Sequence, residues 1–200
     1  MGEPAASQEK TYAEYLAIEA ATGMKHEWVD GVVYAMSGGT LAHNHLGAQI
    51  IGELLRLIGD RPCRVFTSDQ KTRPSRVRFA AYPDVTVVCG EPIVHDDDPN
   101  AVTNPIVLVE VLSDSTEGWD RAGKFRRYRK LASLQHYVLV SQHERCIEVY
   151  SRANDGTWIF SEALEGESAA LEALGGSLDV DRVYRNVALT ALPERDPVDA

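Results

Sequence analysis

The stretch IVLVEVLSDST, residues 106–116, decides how the rest of the chain reads. Ile106 to Val109 precede Glu110, and Val111 and Leu112 follow it. A run this apolar predicts a strand buried on both faces, near the centre of a sheet. An ionised carboxylate inside such a strand is costly unless it is paired or holds a metal. Glu110 is therefore the first candidate functional residue. Ser113, Asp114, Ser115 and Thr116 end the strand and offer N-caps for a following helix.

Working outward, the spacing of Tyr12, Tyr15, Leu16 and Glu19 predicts a helix over 11–21. HEWVDGVVYAM (26–36) reads as two short strands around Asp30-Gly31, a strong hairpin signal. A helix from about Leu41 to Ile58 carries Leu46, Ile50, Leu54, Leu57 and Ile58 on one face. RVFTSD (64–69) and PDVTVV (83–88) are strand-like, the second opened by Pro83. Residues 89–105 read as a loop with three prolines, in which Asp96, Asp97 and Asp98 are a solvated charge run. After the central strand, a helix is expected from near Trp119 to Leu131. HYVLVS (136–141) and CIEVYSR (146–152) predict a hairpin joined to a third strand at TWIFSEA (157–163), and a short strand or turn and a helix close the chain.

These elements describe one α/β (α+β) domain over 10–190, a mixed sheet flanked by helices. Residues 1–9 are expected to be a flexible N-terminus and 191–200 a polar tail. At 200 residues the chain can bury one core and is short for two domains. No apolar run approaches the roughly 20 residues of a membrane span. MGEPAASQEK lacks the apolar core of a signal peptide, so a cytoplasmic location is the default expectation. Cys63, Cys89 and Cys146 are sparse and odd in number, which predicts reduced, mostly buried thiols. The net charge of −10 alone disfavours a nucleic-acid binder. Yet 12 of the 20 Lys and Arg fall within 61–78 and 121–130, so a local basic surface is available.

Three acidic residues stand in or beside apolar segments: Glu27, Asp84 and Glu110. If the strands of Asp84 and Glu110 are neighbours, their carboxylates converge. One or two carboxylates, with water and substrate phosphate, suffice to hold Mg²⁺. Such an ion suits phosphodiester hydrolysis. Lys124 follows on the first turn of the next helix, within reach of the strand end, and Tyr128 lies one turn further on the same face. Each residue has a structural alternative. Lys124 can pair with Asp120 on a helix surface, Glu110 with a core arginine, and Asp84 can cap its strand.

Taken in order, HEWVDG, MSGGTLAHNH, YPDVTVV, IVLVEVLSDST and DRAGKFRRYRKL…HYVLVS resemble the Uma-two family of restriction-endonuclease-like proteins, within the PD-(D/E)XK nuclease superfamily. The resemblance covers about residues 10–190. It implies a restriction-endonuclease-like fold, metal-binding roles for Asp84 and Glu110, and Glu27 as a further acidic member. His43, in the MS…H segment, and Tyr128 are candidates to touch and support the metal-binding carboxylates without binding the metal themselves. The superfamily's lysine would stand two residues after the glutamate; here that residue is Leu112, and Lys124 looks like its relocated counterpart.

Two functions follow as expectations. One is a Mg²⁺-dependent DNA endonuclease, with Mn²⁺ as a substitute, working as a homodimer. In it Asp84, Glu110, Lys124 and Glu27 do the chemistry, and Arg121, Arg126, Arg127, Arg129 and Lys130 contact phosphates. The other is a catalytically inactive nucleic-acid- or partner-binding protein on the same fold.

Overall fold

The computed structural model describes residues 9–191. Apart from residues 9 and 191 themselves, the terminal stretches named above lie outside the described residues. Thr11 caps α1 (Tyr12–Thr22): its hydroxyl accepts from the Glu14 amide, and the Glu14 carboxylate accepts from the Thr11 amide in return. β1 (His26–Val29) and β2 (Val32–Ala35) form the expected hairpin. Asp30 and Gly31 take φ of 50° and 96°, as a two-residue turn with the right twist requires. Thr40 caps α2 (Leu41–Ile58).

The main sheet has six strands in the order β12-β11-β10-β9-β6-β3. Its members are β3 (Cys63–Phe66), β6 (Val85–Cys89), β9 (Val107–Val111), β10 (His136–Val140), β11 (Cys146–Arg152) and β12 (Trp158–Leu164), numbered in a chain that also contains β4 (Lys71–Thr72), β5 (Phe79–Ala80), β7 (Val94–His95) and β8 (Asp98–Val102). β9 and β10 run parallel and the other pairs antiparallel, so the sheet is mixed as expected. Trp119–Lys124 wind as a π-helical turn that continues into α3 (Phe125–Tyr128). The chain then closes with β13 (Ser168–Leu171), β14 (Gly176–Asp179) and α4 (Val180–Val183).

Each face of the sheet carries its own core. Leu46, Ile50 and Leu54 of α2 pack with Val107, Val109 and Val111 of β9 and with Val138 and Val140 of β10. The opposite face packs Leu108 and Leu112 against Tyr128, Leu131, Leu134, Tyr137 and Leu139. Each of these large side chains contributes roughly 1.5–3 kcal/mol when fully removed from water.

Three expectations need correction. Residues 89–105 are not a plain loop: β7 and β8 join β4 in a small sheet. Asp98 is not solvated but 2% exposed, accepting from the Tyr12 hydroxyl and from Lys71. The helix expected over 119–131 is shorter and begins with the π turn. The cysteines also differ from their reading. Only Cys146 is free, while Cys63 and Cys89 stand opposite each other across β3 and β6, with Cα atoms 3.9 Å apart, and form a disulfide. Strand pairing brings together two residues 26 apart, which counting cysteines cannot reveal. A cross-link closing a loop of that length stabilises by about 3.5 kcal/mol. Unfolded without reductant, the protein should therefore titrate with one thiol per chain. Three thiols in that assay would refute the bond.

Candidate functional site

The direction of Glu110 follows from the two-residue period of a strand. Val107, Val109 and Val111 face α2, so Leu108, Glu110 and Leu112 face the π turn and α3. Val85 lies opposite Val109 in the antiparallel β6–β9 ladder. Asp84, one residue before β6, therefore arrives beside the end of β9. Its Oδ2 accepts the Val111 amide at 2.7 Å, which fixes the carboxylate. The two strands are neighbours, as the convergence of Asp84 and Glu110 demands.

Lys124 reaches this point from the π turn. Its Nζ lies 2.9 Å from Glu27 Oε1, 3.1 Å from Glu110 Oε2 and 3.0 Å from Asp120 Oδ1. All four side chains are largely buried. Leu112, two residues after Glu110, belongs to the apolar core, while the Lys124 ammonium stands next to Glu110 from another element. The Tyr128 hydroxyl donates to Glu110 Oε1 at 3.3 Å. Burial pushes the Glu110 carboxyl well above the ordinary range; Lys124 opposes this, and Asp120, Asp84 and Glu27 reinforce it. Burial disfavours the Lys124 ammonium, yet Glu110, Glu27 and Asp120 outweigh it and hold its pKa well above that of a free lysine.

Asp120 is the member that sequence reading missed. At four residues from Lys124 it resembles a surface helix pair, but the π turn carries both side chains inward. Its Oδ1 makes the charge contact with Lys124 but no well-angled hydrogen bond. The signal was present in the sequence as DRAGK, but only burial distinguishes an inward pair from an outward one. Removing the ammonium would leave the buried carboxylates uncompensated. Lys124→Met should lower unfolding stability by about 3–5 kcal/mol, read by denaturant titration; an unchanged midpoint would show the ion cluster to be dispensable.

His43 sits in the first turn of α2 with Nε2 3.3 Å from Asp84 Oδ2. Its pKa is raised, chiefly by that contact and against the effect of burial. A Cβ on Gly39 would come 2.6 Å from the His43 ring, so the glycine makes room for it. These groups line one cleft of about 870 Å³. The basic segment contributes less to it than expected. Arg127 lines the cleft but pairs with Asp30, and Arg121 pairs with Glu148. Arg126, Arg129 and Lys130 are exposed and do not line it.

The SDST turn forms part of the rim and is tied down. His143 Nε2 lies 2.5 Å from Asp114 Oδ1, and Nδ1 lies 2.9 Å from the Thr190 carbonyl. Both partners are acceptors, so both ring nitrogens must donate, which requires the imidazolium. The Thr190 carbonyl, followed by Asp114, raises the His143 pKa above 6.5, against a lowering by burial. A folded pKa above the unfolded value means this contact stabilises fully below the unfolded pKa and is lost as pH rises through the folded one. An NMR titration should show His143 titrating above 6.5, with the Ser113–Thr116 amides shifting in step; rim amides indifferent to that titration would refute the tie.

Among the described residues, no three His, Cys, Asp or Glu side chains converge tightly enough to cage a metal unaided. The donor set still suits a hard cation. Asp84 and Glu110 present oxygens on one cleft, and a Mg²⁺-type ion needs only one or two carboxylates beside water and substrate oxygens. Carboxylates also outnumber the single ammonium among them.

The chain matches the family model Uma2, described as "Putative restriction endonuclease", over residues 12–181. It is 37% identical over 162 residues to the uncharacterized protein sll1609 of Synechocystis sp. (strain ATCC 27184 / PCC 6803 / Kazusa), covering 81% of this chain and 91% of that one. It is 34% identical over 181 residues to the uncharacterized protein slr1290 of the same organism, covering 88% and 91%. Its fold is similar to that of a crystal structure described as "a putative nuclease belonging to DUF820" from Anabaena variabilis ATCC 29413. The TM-score is 0.67 at 13% identity, over 82% of this chain and 91% of the other.

Proposed function

The chain belongs to the Uma2 family, and from that premise we propose that it is a metal-dependent endonuclease hydrolysing phosphodiester bonds in DNA. The observation that carries this reading is the meeting of Glu27, Glu110 and Lys124 beside Asp84 in one cleft, from four separate parts of the chain.

In this reading Asp84 and Glu110 hold a divalent cation, Mg²⁺ or Mn²⁺, and Glu27 completes the acidic group. When bound, such a cation supplies Lewis acidity toward a phosphoryl oxygen. Asp84 is kept in place by the Val111 amide, and Glu110 by Tyr128. The Lys124 ammonium orients the attacking water and balances negative charge growing on the phosphate. His43, touching Asp84, supports that carboxylate. Arg126, Arg129 and Lys130, exposed beyond the cleft, are proposed phosphate contacts of a long substrate; Arg121 and Arg127 would first have to leave Glu148 and Asp30. The expected homodimer belongs to the same proposal. β12 leaves one edge of the main sheet open, with Ile159 and Phe160 exposed, and light scattering would count the chains.

DNA offered both as duplex plasmid and as a single-stranded circle, with Mg²⁺ or Mn²⁺, should be nicked or cut in at least one form by the wild type. Asp84→Ala and Lys124→Met should lose at least about 100-fold in rate, the scale of one lost transition-state charge contact. Calorimetric titration with Mn²⁺ should show one site in the wild type and none in Glu110→Gln. Wild-type cleavage no faster than that of Asp84→Ala would end the catalytic reading. Salt-sensitive DNA binding without a Mn²⁺ site would instead favour the binding protein.

A further inference from the structure

The lining of the cleft points to the kind of nucleic acid it takes. Six carboxylates face it: Glu27, Asp30, Asp84, Glu110, Asp114 and Asp120. Against them stand Lys124, Arg127 and His43. Lys124 is shared among three carboxylates, Arg127 is paired with Asp30, and His43 touches Asp84. Among the described residues, the cleft thus offers no uncommitted lysine or arginine. Proteins that grip duplex DNA do so mainly by neutralising phosphates with Lys and Arg. This cleft has no such cations to spare.

Three aromatic side chains, Tyr34, Tyr82 and Trp119, line it instead; Tyr82 is buried with its hydroxyl donating to Glu19, which leaves Tyr34 and Trp119. Tyr34 stands opposite Glu27 in the β1–β2 register, and directly opposed residues share a face of the hairpin. It lines the cleft and is 53% exposed, so its ring is open to a ligand. Trp119 immediately precedes Asp120 and also lines the cleft. Its indole is held in place. A Cβ on Gly123 would come 1.9 Å from the ring, so the indole lies directly over that glycine. The Arg127 guanidinium sits 5.0 Å from the ring centroid. A packed indole and an exposed phenol thus lie beside the proposed reacting centre.

A nucleobase inside a duplex has both faces covered by its neighbours. Only an unpaired base can offer a face to an aromatic side chain. Resting on the nuclease reading above, we propose that the cleft accepts unpaired nucleotides. Tyr34 and Trp119 stack on the bases next to the scissile phosphate, and the substrate is single-stranded or locally unpaired nucleic acid. Within the cleft, affinity then comes chiefly from base faces; Lys124 and the divalent cation face only the scissile phosphate, and Arg126, Arg129 and Lys130 lie outside the cleft.

The test uses the full chain with Asp84→Ala, so that complexes persist, and three labelled probes of equal length: oligo-dT, oligo-rU and a DNA duplex. Fluorescence anisotropy should give at least about tenfold tighter binding of a single strand than of duplex. The preferred sugar assigns DNA or RNA. Trp119→Ala and Tyr34→Ala should each weaken single-strand binding by on the order of tenfold, the scale of one lost stacking contact, and Trp119→Phe should restore most of it. The exposed Tyr34 site keeps the test open if Trp119→Ala does not fold. Duplex bound as tightly as single strands, or unchanged binding in folded Tyr34→Ala and Trp119→Ala, overturns the stacking proposal. Asp84-dependent plasmid cutting would then leave the nuclease reading standing. No binding of any probe together with no cleavage overturns both.

Discussion

One ammonium group holds the site together. Lys124 Nζ contacts carboxylates from a hairpin strand, a core strand and its own π turn, all within 3.1 Å. Left alone in a low-dielectric pocket, those carboxylates would repel one another and each would bear the cost of lost hydration. The lysine turns that liability into a fixed geometry. It also pins three elements distant in sequence to one point. The fold uses the same device a second time. Lys71 contacts Glu19 at 2.7 Å and Asp98 at 2.9 Å, joining α1 to the small sheet. There the charges are closed over by Tyr12, Tyr15 and Tyr82. Lys71, Glu19 and Asp98 do not line the cleft onto which the Lys124 cluster opens, and their cluster acts as a clamp.

The π turn makes the first cluster possible. A single wide turn over Trp119–Lys124 directs Asp120 and Lys124 inward together, and Trp119 toward the cleft. π turns are rare and recur at functional sites. Gly123 is the local requirement: no other residue leaves room for the indole lying over it. Carboxylate, ammonium and aromatic ring are thereby delivered by six consecutive residues. The neighbouring Tyr137 hydroxyl donates to the Asp120 carbonyl at 2.9 Å and secures the turn to the sheet.

Much of the fold was legible because its signals are local. Asp30-Gly31 marked the hairpin, the apolar face of α2 marked a long helix, and the run around Glu110 marked the central strand. What escaped depended on partners far away in the chain. Asp98 reads as a loop charge, yet it is buried by Lys71 and Tyr12, 27 and 86 residues distant. Cys63 and Cys89 look unrelated until β3 and β6 pair. The basic segment 121–130 reads as one surface, but its side chains divide. Arg121 and Arg127 turn to carboxylates and Lys124 is buried, while Arg126, Arg129 and Lys130 stay in solvent.

By itself the sequence determined the mixed sheet, the central position of Glu110's strand and the residue types available for chemistry, since periodicity and turn residues act within a few positions. It also placed Lys124 within reach of that strand. Only the tertiary structure decided which charges meet. Strand register set Asp84 beside Val111, the alternation of β9 turned Glu110 toward α3, and the π turn brought Asp120 in with Lys124. The physical reason is that a charge's partner and its solvent exposure are properties of packed space. Residues far apart in the chain share that space only after the chain has folded.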